Sequence, residues 1–356
     1  MSRSGSTTST STAKEDRAAK SIPGHPAHRA DPVLASRGMA VPLHKRIKRS
    51  IRSWLVLGGL RLLSLLPLGA ALRLGAAGGA VAGLLFRKTR RLALAHHALA
   101  FPETSEADRR AVARGMFVHL GRSALELAAI RRYDARLDRY VEFAQPRLLG
   151  EVMARGSGMV FVTGHVGSWE LLARAIARAG VPNAVIAKRN VDDGLNRLAE
   201  TFRAEGGVTT LWREDESTGR AIIKTLRGGR ALGLLIDQDT SVQGVFVPFF
   251  GRPAWTPRAA ADLALRFGAP VVVGTIHRKG PRADDGHLLD LVEIAYDPRP
   301  ADKEAEVVRI TAACSAALEA AIRRHPAEWV WMHERWKTAP GGAANTVPKS
   351  IEVAGA

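Results

Sequence analysis

One stretch of the sequence is the most informative about fold and chemistry: Gly156-Ser-Gly-Met-Val-Phe-Val-Thr-Gly-His-Val-Gly-Ser-Trp-Glu170. Its apolar run ends at Gly164, presents His165, and leads into a helix whose first turn holds Glu170. A strand that ends in a histidine, followed by a carboxylate in the first helical turn, is one way to build an oriented general base. Of the eleven histidines, only His165 has an acid five residues later.

The spacing of His165 and Glu170 has a structural explanation as well as a catalytic one. An imidazole can take a proton from a hydroxyl near neutral pH, and a carboxylate on its other nitrogen would fix the tautomer. A histidine at a strand end can equally cap a turn, and Glu170 can simply complement the helix dipole. Ser168 does not lie in a Gly-x-Ser-x-Gly elbow, which disfavours a serine hydrolase.

Short apolar runs alternate with amphipathic helices beyond residue 157, after a helical region at 88–132. This alternation predicts an α/β fold with a mostly parallel central sheet flanked by helices on both faces. In such sheets ligands collect at the carboxyl ends of the strands, where His165 and Asp237 are expected. The predicted strands are 159–163, 184–187, 231–236, 270–276 and 288–294, and the predicted helices are 168–179, 192–205, 217–227, 257–267 and 302–324.

Four regions are expected along the chain: a disordered tail (1–40), a basic and apolar membrane-associated helical segment (41–87), one catalytic domain (88–338) and a flexible tail (339–356). The second region carries a basic cluster at 44–52 and an apolar run from Trp54 that Arg61 and Arg73 interrupt. Neither uncharged piece reaches the roughly 18–20 residues of a confident membrane span. A tilted span, interfacial helices and a buried hairpin stay open, with membrane contact favoured by the basic flank and Trp54.

Composition narrows the classes of partner. The formal net charge of +18 indicates an anionic partner such as nucleic acid, a membrane surface or a phosphorylated substrate. Few aromatic residues and the lack of a recognisable nucleic-acid motif disfavour nucleic acid. The lone Cys314 excludes an internal disulfide framework and is expected to be a small buried hydrophobe.

Three further motifs follow the first. Asp237, Gln238 and Asp239 come after an apolar strand, and an Asp-x-Asp pattern also fits a metal-dependent membrane glycosyltransferase. The stretch 244–251, with Phe249 and Phe250, would either cover the core or form a wall for an acyl chain. The tryptophan-rich segment 325–337 is expected to be a terminal strand packed on the sheet or an interfacial aromatic belt, with packing favoured.

Taken in order, these motifs resemble the bacterial lipid A late acyltransferases, a lauroyl/myristoyl family within the glycerolipid acyltransferases. The resemblance rests on Gly164–Glu170 (an HX4E box), Gly233–Asp239, Phe246–Gly251, Thr256-Pro257, Gly268–Val272 and Trp329–Lys337. It covers about residues 50–338.

The resemblance implies acyl transfer at the cytoplasmic face of the bacterial inner membrane. The donor would be an acyl thioester on acyl carrier protein or coenzyme A, and the acceptor a glycolipid hydroxyl such as that of a lipid A precursor. His165 would be the general base, Glu170 would orient it, and neither a metal nor another cofactor is expected. The residues expected to contact substrate are Lys188, Arg189, Arg203, Asp237, Gln238, Asp239, Phe249 and Phe250.

Two departures from the family pattern keep the acceptor open. The second block reads Ala187-Lys-Arg-Asn, without the family's arginine followed by proline, and Thr240 stands where lipid A enzymes commonly have tyrosine. Phosphatidylinositol mannosides, which a related branch acylates, and other lipids are therefore alternative acceptors.

Overall fold

The structure, a computed structural model, describes residues 58–59, 65–130, 133–280, 282 and 285–341. The predicted tail 1–40, the basic cluster 44–52 and residues 342–356 lie outside the described residues. The helices are α1 (Leu68–Leu85), α2 (Arg87–Ala100), α3 (Glu106–Ala129), α4 (Leu137–Tyr140), α5 (Leu148–Met153), α6 (Trp169–Arg178), α7 (Asp193–Glu205), α8 (Thr218–Arg227), α9 (Ala259–Phe267) and α10 (Lys303–Arg324). The strands are β1 (Val141–Phe143), β2 (Met159–Thr163), β3 (Asn183–Ala187), β4 (Val208–Trp212), β5 (Ala231–Leu235), β6 (Gly244–Phe249), β7 (Arg252–Pro257), β8 (Val271–Arg278) and β9 (His287–Ile294).

Seven strands form one sheet in the order β1-β9-β8-β2-β5-β3-β4, and β6 and β7 form a separate hairpin. All pairings in the large sheet are parallel except β8 with β9. The expected mostly parallel sheet is confirmed. The strands β1 and β4 and the hairpin were not predicted.

Helices cover both faces of the sheet, as predicted. The buried strand β2 alternates its side chains, so that Val160 and Val162 face α9 and α10 while Met159 and Phe161 face α6. On the first face α10 contributes Ile310 and the fully buried Cys314. Burial on both faces explains why β2 reads as a continuous apolar run in the sequence.

Helix α1 packs along α3 through glycines. A β-carbon at Gly75 would lie 2.4 Å from the Gly121 carbonyl oxygen, and one at Gly79 would lie 2.1 Å from that of Phe117. The two backbones can approach this closely only because these positions lack side chains. The other face of α1 leaves large apolar side chains exposed: Leu74, Val81, Leu84 and Leu85.

Candidate active site

The position of His165 follows from the pairing of β2 with β5. These two strands are parallel neighbours, with Thr163 opposite Leu235. The chain therefore leaves both strands at the same edge of the sheet, which brings His165 next to Asp237. Gly164 allows this approach, because a β-carbon there would lie 2.9 Å from the Asp237 carboxylate.

Asp237 holds His165 through two hydrogen bonds. The His165 backbone N–H donates to Oδ2 at 2.6 Å, and the Nδ1 atom of its ring lies 2.9 Å from Oδ1. A third donor, Trp329 Nε1, lies 2.8 Å from Oδ2. Burial alone would raise the pKa of Asp237, but the charge of His165 and these hydrogen bonds lower it to about 2.

The ionised Asp237 fixes the tautomer of His165. A carboxylate can only accept hydrogen bonds, so in the neutral ring Nδ1 carries the proton and Nε2 keeps its lone pair. The His165 side chain is 21% exposed, whereas that of Asp237 is 1% exposed. Chemically, a partly exposed histidine with a buried carboxylate behind it is an arrangement that can act as a general base.

Glu170 has a different partner from the one the sequence suggested. Its carboxylate accepts two hydrogen bonds from Arg203, from Nε at 2.8 Å and from Nη2 at 2.5 Å. The reason is positional: Glu170 lies in the first turn of α6, beside the end of α7 that carries Arg203, while Asp237 lies directly beside His165. Although burial opposes its charge, the hydrogen bonds that Arg203 donates to Glu170 raise the pKa of Arg203 and keep it cationic.

A cavity of about 650 Å³ opens where these groups meet. Its polar part includes His165, Glu170, Arg203 and Gln238. Its apolar part is lined by Phe161, Leu172, Ile176, Val185, Leu234 and Val242. The basic side chains of Lys188, Arg213 and Arg258 also line the cavity. Such a space can hold a long apolar chain together with an anionic group.

The remaining predicted substrate contacts, Arg189, Asp237 and Asp239, are not among the residues that line this cavity. The Arg189 guanidinium lies 4.8 Å from the centre of the Trp212 ring and pairs with Asp215. Asp239 accepts hydrogen bonds from the Thr338 backbone and hydroxyl at 2.7 and 3.0 Å. The carboxylates of Asp237 and Asp239 are thus engaged with separate partners. Among the described residues no group of three or more His, Cys, Asp or Glu could hold a metal ion.

Phe249 and Phe250 belong to a buried aromatic cluster and do not line the cavity. They are 0% and 6% exposed, and their rings contact Trp329 and Trp336. Phe250 has a positive φ of 52° in the turn between β6 and β7, a conformation that packing against these rings stabilises. Of the two expectations for this stretch, the structure supports core packing over a wall for an acyl chain.

The segment 325–337 is not a terminal strand. It begins with a short 3-10 turn at Pro326–Glu328, and its β pairing is limited to an isolated antiparallel bridge between Val166 and Trp329. Its tryptophans are buried, which fits the expected packing. This segment also brings two groups to the site that sequence reasoning did not assign: Trp329, which bonds Asp237, and His333, which bonds Gln238.

The fold and site together define an α/β protein in which a histidine held by a buried carboxylate lines a partly apolar cavity. The family model for bacterial lipid A biosynthesis acyltransferases matches residues 42–338, and the chain belongs to this family. It is 26% identical over 292 residues, 82% of this chain and 92% of the relative, to the lipid A biosynthesis lauroyltransferase of Escherichia coli (strain K12). The palmitoleoyltransferase of the same organism is 25% identical over 297 residues, with coverages of 82% and 93%.

The names of a second group of relatives refer to a different acceptor lipid. The phosphatidylinositol mannoside acyltransferase of Mycobacterium tuberculosis (strain CDC 1551 / Oshkosh) is 24% identical over 190 residues, 53% of this chain and 57% of that protein. Together these matches make the chain a lipid acyltransferase.

Proposed function

We propose that the protein transfers a fatty acyl chain from a thioester, on acyl carrier protein or coenzyme A, to a hydroxyl of a membrane glycolipid such as a lipid A precursor. The observation that carries the proposal is the 2.9 Å contact of His165 Nδ1 with Asp237 Oδ1, which makes Nε2 the acceptor nitrogen of a ring that lines the cavity. In the reaction Nε2 removes the hydroxyl proton while the oxygen attacks the thioester carbonyl. The thiol then leaves with that proton, and the products are an ester and a free thiol.

The two carboxylates of the site have separate tasks in this proposal. Asp237 orients His165 and stabilises the imidazolium that forms when the proton is taken. Glu170 holds Arg203 at the cavity, where the guanidinium can bind a phosphate of the acceptor or of the donor's phosphopantetheine arm. Lys188, which also lines the cavity, adds positive charge there. The net charge of +18 suits both an acidic carrier protein and an anionic glycolipid.

Contact with the cytoplasmic face of the inner membrane would use the exposed apolar side of α1. This helix is long and apolar enough to cross a membrane by length and composition, but one third of it is buried. Its glycine face packs against α3, and its other face exposes Leu84 and Leu85, which are 68% and 72% exposed. That arrangement favours a helix lying in the membrane interface over one that spans it.

Lipid analysis tests this function most broadly. A deletion strain of the source bacterium should accumulate a glycolipid that lacks one acyl chain, detectable by mass spectrometry of total lipids. Wild-type protein should restore the chain and His165→Ala should not. An unchanged lipid profile would contradict the proposal. The mass difference would also identify the acceptor and the chain length.

The membrane surface can be tested separately. Leu84→Asp with Leu85→Asp should reduce flotation with vesicles of phosphatidylethanolamine and phosphatidylglycerol. Unchanged flotation of the double variant would contradict the assigned surface. Glu200→Gln, at an exposed site on α7, is the matched control and should float like the wild type.

A further inference from the structure

Gln238 lines the cavity beside His165, and its amide nitrogen contacts two histidines. It lies 2.6 Å from His333 Nε2, and 3.0 and 3.1 Å from Nδ1 and Nε2 of His165. In an imidazole ring Cε1 lies between Nδ1 and Nε2. An atom almost equidistant from the two nitrogens would therefore overlap Cε1 if it lay in the ring plane. The Gln238 amide therefore lies over the face of the His165 ring and leaves the in-plane lone pair of Nε2 open to a substrate.

His333 fixes the orientation of this amide. An amide nitrogen can only donate hydrogen bonds, so His333 Nε2 must be the unprotonated nitrogen of its ring. Burial, followed by the nearby charge of His165, lowers the pKa of His333 to about 4, which keeps the ring neutral. One amide hydrogen is thus committed to His333. The second hydrogen is on the same nitrogen, in a side chain that lines the cavity and lies over the His165 ring.

Acyl transfer creates a negative charge at this position. When the hydroxyl oxygen attacks the carbonyl carbon, the carbonyl π electrons move to its oxygen, which becomes an oxyanion until the carbon–sulfur bond breaks. The attacking oxygen must lie about 2.6–3.2 Å from His165 Nε2 to give up its proton. The hydroxyl oxygen and the oxyanion are bonded to the same carbon. The oxyanion therefore forms within a few ångströms of the Gln238 amide.

We propose that Gln238 donates the hydrogen bond that stabilises the oxyanion, and that His333 is the positioning residue that holds its amide for this purpose. This inference rests on the proposed function. An amide donor fixed before the reaction stabilises developing charge without reorganising during the reaction. His333 does not touch substrate; it acts only through Gln238.

Steady-state kinetics of purified variants test the inference. The probes are radiolabelled lauroyl thioesters of acyl carrier protein and coenzyme A, with total lipid extract of the deletion strain as the acceptor. Gln238→Met keeps the length of the side chain without a donor, and should lower kcat on the order of 10²–10³-fold with little change in KM. Gln238→Glu, which replaces the donor by an acceptor, should be affected at least as strongly.

The His333 variants separate positioning from packing. His333→Phe keeps a ring but removes the acceptor, and should lower kcat by about tenfold or more. His333→Gln supplies a carbonyl acceptor and should recover most of that loss. An equal loss of kcat in His333→Phe and His333→Gln would contradict the positioning role of His333. If both Gln238 variants keep the wild-type kcat while His165→Ala is inactive, the oxyanion role is overturned and the acyltransferase proposal stands. An active His165→Ala would overturn both.

Discussion

Asp237 binds His165 twice, once at the backbone N–H and once at Nδ1 of the ring. The double contact fixes both the position of the residue and the proton on its ring. The contact arises because β2 and β5 are parallel neighbours, so the segments that follow them leave the sheet side by side. The carboxylate that contacts the His165 ring thus follows the neighbouring strand β5 and does not come from the helix that follows His165.

Replacing Asp237 by asparagine should lower kcat on the order of a thousandfold. Asparagine has the same shape as aspartate but no negative charge, so it cannot stabilise the imidazolium. Its NH2 group can also donate a hydrogen bond to Nδ1, which favours the wrong tautomer of His165. Labelled acyl transfer measures the rate, and the thermal unfolding midpoint shows whether the variant is folded. A folded Asp237→Asn enzyme with wild-type kcat would show that the contact has no catalytic role.

Glu170→Gln should raise KM more than it lowers kcat. The carboxylate holds Arg203 by two charge-assisted hydrogen bonds, and its loss should weaken substrate binding by about tenfold or more. Glu200→Gln, at an exposed position of α7, is the matched control and should leave both constants unchanged. A fall in kcat as large as that of Asp237→Asn would instead make Glu170 part of the proton-transfer machinery.

Two adjacent glycines of α1 test how this helix packs. A β-carbon at Gly79 would lie 2.1 Å from the Phe117 carbonyl oxygen, whereas one at Gly78 meets nothing within 4 Å. Gly79→Ala should therefore force α1 away from α3 and lower the thermal unfolding midpoint by several degrees, equivalent to roughly 1–3 kcal/mol. Gly78→Ala should be neutral or stabilise by up to about 1 kcal/mol. Equal effects in the two variants would contradict the packing of α1 on α3.

Stability should fall in acid partly because His119 is buried. Burial, and then the charge of Arg278, lower the pKa of this histidine from 6.5 to about 4. Between these values the unfolded chain binds more protons than the folded one, so stability decreases as the pH drops through this window. His119→Gln should reduce the slope of unfolding free energy against pH by at most about 1.4 kcal/mol per pH unit. Denaturant unfolding between pH 7 and 4 gives the slopes, and identical slopes would contradict the prediction.

The sequence was sufficient to predict most of the sheet and its covering helices. The strand 159–163 and the helices that follow it appear at nearly the predicted positions, because buried parallel strands and amphipathic helices leave strong periodic signals. The short strand β1 and the more polar β4 lack such signals. The hairpin β6–β7 was missed because Phe250 adopts a turn conformation that favours glycine and that depends on packing with distant tryptophans.

The position of His165 at a strand end could be predicted from the sequence, but the residues that contact it could not. His165 stands out by sequence because it directly follows a buried strand. Its pairing with Asp237 depends on which strands are neighbours, and periodicity carries no information on strand order. Trp329 and His333 reach the site from a segment with little regular structure, whose tryptophans alone suggested packing. The contact of Glu170 with Arg203 likewise depends on how α6 and α7 lie together.

The most direct test of the account is the rate of labelled lauroyl transfer by purified His165→Ala. The wild type should transfer the chain from the thioester to lipid, and His165→Ala should transfer none above background while unfolding at a similar temperature to the wild type. Transfer by a folded His165→Ala protein at the wild-type rate would contradict the assignment of His165 as the general base.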